Sequence, residues 1–524
     1  MIGTWFGHPK GVYLIAFTEL WERFSYFGMA ALLALYLSSS TADGGWGWNR
    51  SDAVLFYSFY AGLVFVMPMV GGWVANNYLG ERRSIVIGAV LLTIGHLALG
   101  AAALMPSIVE RMDLLNGQLV IVRSGVSLGH VWALDEVAPA LATTAAQLGG
   151  TAEASASLYQ AALWTYVGTS AFFLAGLLCI VAATGLFKSS ISSIVGKLYP
   201  AGDARRDAGY GVFFTCVYIG AMFANFAAGG LGERAGWHYG FGAAAAGMVI
   251  GIGVYLWKQR EYLGDVGVQP DLSATLAANP EPLSRIERDR IQVAIVQGAF
   301  ATLYAAGFYQ KGGLLTLYTR DHVDRTLFGM DVPATWFLSV SILVFVIATP
   351  LLTATYLRWE RQGRNPSASY KLAAGLLLLG VAYVMIGHAE SLRIASGQPS
   401  ISGAWLVSIY VLFGVADALV WPNQMALLTK LAPQRHATLA VGIWYVTTGL
   451  GIWLAGMIGA VVERAGNVQI FLGLAVLSLL AGVVVVLITP KMRRMMHGAE
   501  QPTLATAQSN QARYVRTSSV AIND

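Results

Sequence analysis

Charge and cysteine are both scarce in this chain. Of its 524 residues only 12% are Asp, Glu, Lys or Arg, and the two cysteines, Cys179 and Cys216, each lie inside an apolar segment. Two such residues exclude a disulfide framework or a cysteine metal cluster and are expected to serve as packing. So little charge over so great a length excludes a string of ordinary soluble domains. No nucleophile–base pair, metal-ligand spacing or phosphate-binding glycine loop stands in a convincing context, so neither an enzyme nor a cofactor is expected. The small basic excess, 33 against 28, is a topology signal and calls for no nucleic acid.

What the chain has in quantity is apolar length. Hydrophobic residues make up 56% of it, and apolar segments of about 20 residues or more recur along nearly all of it. The spans predicted are 12–37, 52–76, 83–105, 163–199, 208–230, 239–257, 291–316, 334–357, 370–389, 403–429, 437–461 and 468–489. The expectation is an all-α membrane protein of about twelve transmembrane helices with both termini on one side. The first span is too long for a signal-peptide core and lacks a small-residue cleavage site, so it is expected to remain as a helix. Placing the termini in the cytoplasm puts Arg82, Arg83, Arg205, Arg206, Lys258, Arg260, Arg285, Arg288, Arg290, Arg358, Arg361, Lys430, Lys491, Arg493 and Arg494 there. Few basic residues, among them Arg50, Arg111, Arg234 and Arg464, face the other way, which satisfies the positive-inside rule. A multi-pass protein of the plasma (inner) membrane is expected.

Two polar stretches divide the spans. Residues 258–290, with Pro270, Pro280 and Pro282 ahead of the charged run Arg285 to Arg290, read as a cytoplasmic linker between a first bundle (1–257) and a second (291–490). Six plus six helices is the arrangement of a duplicated transporter that alternates access between its halves. Residues 106–160 read as an extracytoplasmic insertion, with a hairpin expected near Gln118–Leu128 and a helix near Ala138–Leu148; the tail 491–524 reads as disordered.

One feature of the first span points to function. Glu19, Glu22 and Arg23 are spaced three and four residues apart and share a helical face. Even low estimates put roughly 2.5–3.5 kcal/mol on each ionised group at mid-membrane, so the three must line a hydrated cavity between helices. The plain alternative is a salt-bridge network that only staples one helix to another.

The segment Glu19-Leu-Trp-Glu22-Arg23-Phe24-Ser25-Tyr26-Phe27-Gly28 resembles the ExxER signature of the proton-coupled oligopeptide transporters, the peptide branch of the major facilitator superfamily. Further fragments follow in that family's order: Gly71-Gly72-Trp73-Val74-Ala75-Asn76, Gly185-Leu-Phe-Lys188, Arg206-Asp207-Ala208-Gly209, Gly236-Trp237-His238-Tyr239-Gly240, Phe308-Tyr309-Gln310-Lys311-Gly312, Pro333-Ala334-Thr335-Trp336, Leu431-Ala432-Pro433 and Gly442-Ile443-Trp444. The resemblance implies a major-facilitator fold. It implies that Arg23 and Lys188 face a peptide's carboxylate, with Glu19 and Glu22 holding them and exchanging protons. Asp417, in the family's helix-ten glutamate position, would receive the ammonium and join the proton-coupling set. Tyr26, Tyr218, Tyr309 and Trp444 would complete the substrate site.

Several positions depart from the family pattern. Tyr309 stands where helix seven carries a glutamate, and a phenol of pKa ~10 does not cycle its proton near neutrality; coupling then falls to Glu19, Glu22 or Asp417. Ala30 replaces an arginine, Tyr218 an asparagine, Ser189-Ser190 a Pro-Asn, Leu338 a glutamine and Asn76 an aspartate. Lys311 adds a positive charge that is expected either to pair with an acid or to reach outward to water. The function implied is proton-coupled import of di- or tripeptides or peptide-like solutes by a monomer in the lipid bilayer, without nucleic acid. The alternatives are a facilitator or symporter of another small metabolite, and a non-transporting sensor or assembly partner that retains the fold.

Overall fold

Asn49 starts the second long helix by accepting the Asp52 N–H at 2.7 Å, and Ser284 starts the seventh through a reciprocal capping box with Glu287. Between such stops the apolar runs have no partner for their peptide groups except themselves, so in hydrocarbon they close into helices. The computed structural model describes residues 4–40, 43–113, 152–200, 203, 205–270, 283–327, 329–362, 364, 366–431 and 437–500.

Twelve long helices follow one another: α1 Lys10–Ser38, α2 Arg50–Val74, α3 Glu81–Asp113, α4 Ala152–Lys197, α5 Arg205–Ala224, α6 Trp237–Leu263, α7 Arg285–Phe308, α8 Leu338–Arg361, α9 Ala368–Ala395, α10 Gly403–Leu431, α11 Ala437–Gly459 and α12 Asn467–Met495. Eleven stretches built on α2 to α12 are long and apolar enough to cross a membrane. The remaining one, α1, is 29 residues long, about 44 Å at 1.5 Å per residue. Its charges, Glu19, Glu22 and Arg23 above all, dilute its hydropathy, and the bundle buries it on nearly every side. Among the described residues short two-stranded pairs, such as Val323–Asp324 beside Ile401–Ser402, occur only outside the long helices.

Each half has its own core. The first gathers Val12, Leu32, Leu92, Phe187 and Phe241, and the second Tyr304, Leu376, Tyr383, Phe413 and Phe471. Polarity is inverted relative to a soluble protein: Leu351, Leu480 and Leu487 of α8 and α12 are exposed for lipid, whereas Glu19, Glu22, Arg23 and Asp417 are buried. The halves meet along two seams, α2 on α11 and α5 on α8.

Four expectations need correction in detail. The linker is shorter than 258–290, because α6 runs to Leu263 and α7 begins at Arg285. Its start is pinned to the α2–α3 turn, with the Arg82 N–H donating to Gly267 O at 2.9 Å and its guanidinium to Gly264 O at 2.6 Å. The tail of 491–524 begins later: α12 continues through Met495, and Glu500 accepts the N–H of Ala368 at 2.8 Å; residues 501–524 lie outside the described residues. The insertion is entered and left on helix, since α3 extends to Asp113 and α4 begins at Ala152. At 46 residues α4 is about 69 Å long, and the hairpin and helix expected within 118–148 fall outside the described residues. The seventh span is not continuous: α7 ends at Phe308, a 3-10 turn covers Tyr309–Gly312, and a second helix runs Leu314–His322.

That break has a packing cause. A Cβ on Gly312 would stand 2.1 Å from Tyr57 Oη of α2, so only glycine lets the opposite half press against the interrupted turn. Gln310 holds the turn from its own side by donating to Ala455 O of α11 at 2.9 Å.

Candidate substrate site

Arg23 is the centre of the first charged group. Its Nε lies 3.2 Å from Glu19 Oε1, and its guanidinium closes on Glu22 as well. All three side chains are buried. The guanidinium also stands 5.3 Å from the ring centre of Tyr26, one turn further along α1. α5 packs directly on α1 beside the site at Gly220, where a Cβ would come within 2.2 Å of Leu20 O. Glu19 Oε2 and Glu22 Oε1 make no hydrogen bond to the described protein groups.

Lys188 of α4 sits within the electrostatic reach of Arg23, Glu22 and Glu19. Its ammonium closes no ion pair among the described residues. Instead two aromatic faces hold it, Phe65 of α2 at 4.6 Å and Tyr445 of α11 at 5.5 Å. Cation–π contacts of this kind restrain a cation, and they leave Lys188 without a carboxylate closed on it.

The second charged group lies on the other half. Asp417 of α10 is 8% exposed, and its Oδ1 makes no hydrogen bond to the described protein groups. The phenols of Tyr218, Tyr304 and Tyr309 lie in its field, as does the ammonium of Lys311. Lys311 thus faces the acid and does not turn outward to water; its Nζ is 3.6 Å from the centre of the Phe308 ring.

An aromatic chain joins the two groups. Ring centres are separated by 5.6 Å from Phe65 to Tyr309, 6.2 Å from Tyr309 to Trp421, 5.7 Å from Trp421 to Trp444 and 4.9 Å from Trp444 to Tyr445. The chain starts and ends on the two rings that hold Lys188. Tyr218 reaches across the second seam to Phe345 of α8, with ring centres 4.2 Å apart.

The structure therefore brings together Glu19, Glu22, Arg23, Tyr26 and Lys188, and places Tyr218, Tyr309, Trp444 and Asp417 around the aromatic chain beyond them. Sequence reasoning missed Phe65, Tyr304, Trp421 and Tyr445 as parts of the site. Trp421 and Tyr445 adjoin motif residues, so proximity to Pro422 and Trp444 was a usable signal. Phe65 and Tyr304 carried none, because a single aromatic in an apolar span reads as packing.

Among the described residues the two halves are bonded on one face only. On the face opposite the chain ends, Glu233 accepts the N–H groups of Ala334 and Thr335 at 2.8 and 2.9 Å and the Thr335 hydroxyl at 2.6 Å. There also Arg234 donates to Asp331 O at 2.6 Å, Arg320 to Ser38 Oγ at 3.0 Å, and the Arg50 N–H to Glu463 at 2.9 Å. The seam continues inward through Trp453, whose indole donates to Phe59 O at 3.1 Å. Below Phe65 and Tyr445, toward the chain ends, no hydrogen bond or ion pair links the halves among the described residues.

The sequence model of the POT family (PTR2) matches residues 82–274 and 285–476. Over 95% of this chain and 97% of its own length, the peptide transporter YePEPT of Yersinia enterocolitica is 25% identical. A di-/tripeptide transporter of Lactococcus lactis is 24% identical over 94% of this chain and 97% of its own. Among solved structures, a peptide transporter POT in complex with sulfate superposes with a TM-score of 0.75 at 23% identity, covering 94% of this chain and 97% of that one. A POT family transporter in complex with 5-aminolevulinic acid gives 0.75 at 22% identity, covering 94% and 98%. These structures show the fold.

Proposed function

The chain belongs to the POT family and is a multi-pass membrane transporter, and on that premise we propose that it imports short peptides or peptide-like solutes in symport with protons. The observation that carries this reading is one aromatic chain that serves both charged groups, with Lys188 held between its two end rings and Asp417 beside its middle, and with the halves bonded on one face alone among the described residues. In this reading Arg23 offers a planar fork and Lys188 a compact charge to the solute's carboxylate. Glu19 and Glu22 take and release the coupled proton. Asp417, Tyr218, Tyr309 and Trp444 receive the far end, with Tyr26 closing the carboxylate side.

The bias of basic residues toward the face of the chain ends supports termini in the cytoplasm, at the plasma membrane, so in this reading the bonded face is the outer one. A monomer is the working unit in this reading. The relatives whose names record peptides, and the solved transporter that holds 5-aminolevulinic acid, support a small solute of this chemistry. One proton crossing about 100 mV supplies roughly 2.3 kcal/mol, and one pH unit adds ~1.36 kcal/mol. Together they sustain accumulation of several hundred-fold.

The test is uptake of labelled dipeptide by proteoliposomes with and without an inward proton gradient. Gradient-driven uptake that collapses with a protonophore, and that Glu22→Gln and Lys188→Ala both lose, is the expected result. Uptake indifferent to the gradient makes the protein a facilitator, and no peptide uptake under any condition rejects the substrate class.

A further inference from the structure

Lys311 changes what Asp417 can bind. The ammonium of Lys311 lies 3.6 Å from the centre of the Phe308 ring, and that ring stands 6.0 and 6.3 Å from Phe413 and Trp421, one turn before and one turn after Asp417 on α10, so each of the two charges lies in the field of the other. The two close no direct ion pair, and Asp417 Oδ1 is left without a protein donor. Nor is Lys311 free to leave. Its ammonium rests on the Phe308 ring, and its backbone lies in the 3-10 turn that Gln310 ties to Ala455 O and that Tyr57 packs against at Gly312.

We infer, resting on the peptide-like reading above, that Lys311 makes this transporter selective for peptide-like anions whose amino end is blocked, such as N-acylated dipeptides, over free zwitterionic peptides. A solute ammonium arriving at Asp417 has to share one carboxylate with a fixed second cation, and like charges in a poorly hydrated site repel strongly. An acyl carbonyl at the same place accepts a hydrogen bond from Lys311 and leaves the Lys311–Asp417 charges balanced. The surroundings suit such a group: the Trp444 indole N–H has no protein acceptor among the described residues, and Tyr304 and Trp421, packed edge to face with ring centres 5.6 Å apart, supply apolar ring surface beside it. At the other end Glu19 and Glu22 balance Arg23 and Lys188. A bound carboxylate with one proton on an acid therefore leaves the whole site neutral, whereas a zwitterion with the same proton leaves it cationic.

The experiment compares Ala-Ala with N-acetyl-Ala-Ala binding to purified full-length protein, read by tryptophan fluorescence, and their uptake by proteoliposomes. The wild type is expected to bind the acetylated peptide at least about tenfold more tightly, and Lys311→Gln to reverse the preference by lowering its affinity and raising that of Ala-Ala. Lys311→Arg is expected to preserve the wild-type order. A wild type that prefers Ala-Ala, or binds both equally, overturns the inference while leaving the peptide reading intact; so does a Lys311→Gln protein with the wild-type ratio. Binding of neither peptide overturns the peptide reading, and this inference with it. The wild-type ratio needs no variant, so a Lys311→Gln protein that fails to fold does not shelter the claim.

Discussion

The two charged groups of the site are built differently. Around Arg23 the charges are in contact, buried and contributed by neighbouring turns of α1, so one cation is already engaged by two acids before any solute arrives. Around Asp417 the charges close no ion pair and come from two elements, of which one is a broken helix. A tight cluster is costly to disturb and suits proton exchange within a fixed frame. A loose pair is cheap to disturb and sensitive to what is placed between its members, which suits discrimination.

That contrast is open to breakage in order of size. Arg23→Met leaves Glu19 and Glu22 buried without their counter-ion and is expected to lower stability by about 3–5 kcal/mol, whereas Asp417→Asn, which breaks no closed ion pair, should cost no more than about 1 kcal/mol. Thermal unfolding in one detergent compares them, and equal losses would erase the distinction. Next, Lys188→Ala should weaken dipeptide binding by about 100-fold, the worth of a charge-assisted contact, with the melting temperature little changed because the ammonium rests on rings and not on carboxylates; titration and melting of the same preparation check both halves of the statement. A smaller effect belongs to the closed face. Glu233→Ala removes three hydrogen bonds and the 3.7 Å approach of Arg325, and is expected to shift the conformational balance by about 1–3 kcal/mol toward opening there. Spin-label distances across that face would lengthen, and unchanged distances would show that the remaining seam suffices. Smallest of all, Tyr309→Phe should keep uptake within about threefold, since the ring rather than the hydroxyl continues the aromatic chain. Loss of gradient-driven uptake in that variant would make the phenol part of the proton route.

The two faces teach a related lesson. Side chains that bond the halves on the closed face, such as Glu233, Arg320 and Arg50, occupy short connections and helix ends, where water competes for them. Opening that face therefore exchanges protein partners for water at modest net cost. The α2–α11 seam beneath it depends instead on close approach: a Cβ on Gly456 would stand 2.4 Å from Ser58 Cβ. Small residues there let the helices meet without interlocked bulk, which favours relative movement of intact halves.

Most of the helices were legible because apolar length in a bilayer leaves the backbone one solution. The first span was placed at 12–37 against Lys10–Ser38, and the tenth at 403–429 against Gly403–Leu431. The break after Phe308 was not legible, since Gly312 and Gly313 in an apolar run signal only weakness, and the partner that exploits them, Tyr57, is remote in sequence. Tyr36 offers a similar case. Its position near a span end suggests the interfacial belt, yet it is fully buried among Trp46, Phe173, Trp237 and Phe241.

By itself the sequence determined that this protein crosses a membrane many times, that Glu19, Glu22 and Arg23 share one helical face, and that its motifs run in the order of one transporter family. Those properties are local, set by residue type, spacing and the free energy of charge in hydrocarbon. Only the tertiary structure decided that Lys188 lies between Phe65 and Tyr445, that Lys311 confronts Asp417, and which face is closed. Each of those depends on helices far apart in the chain being brought side by side, and no interval in the sequence records the distance between two packed helices.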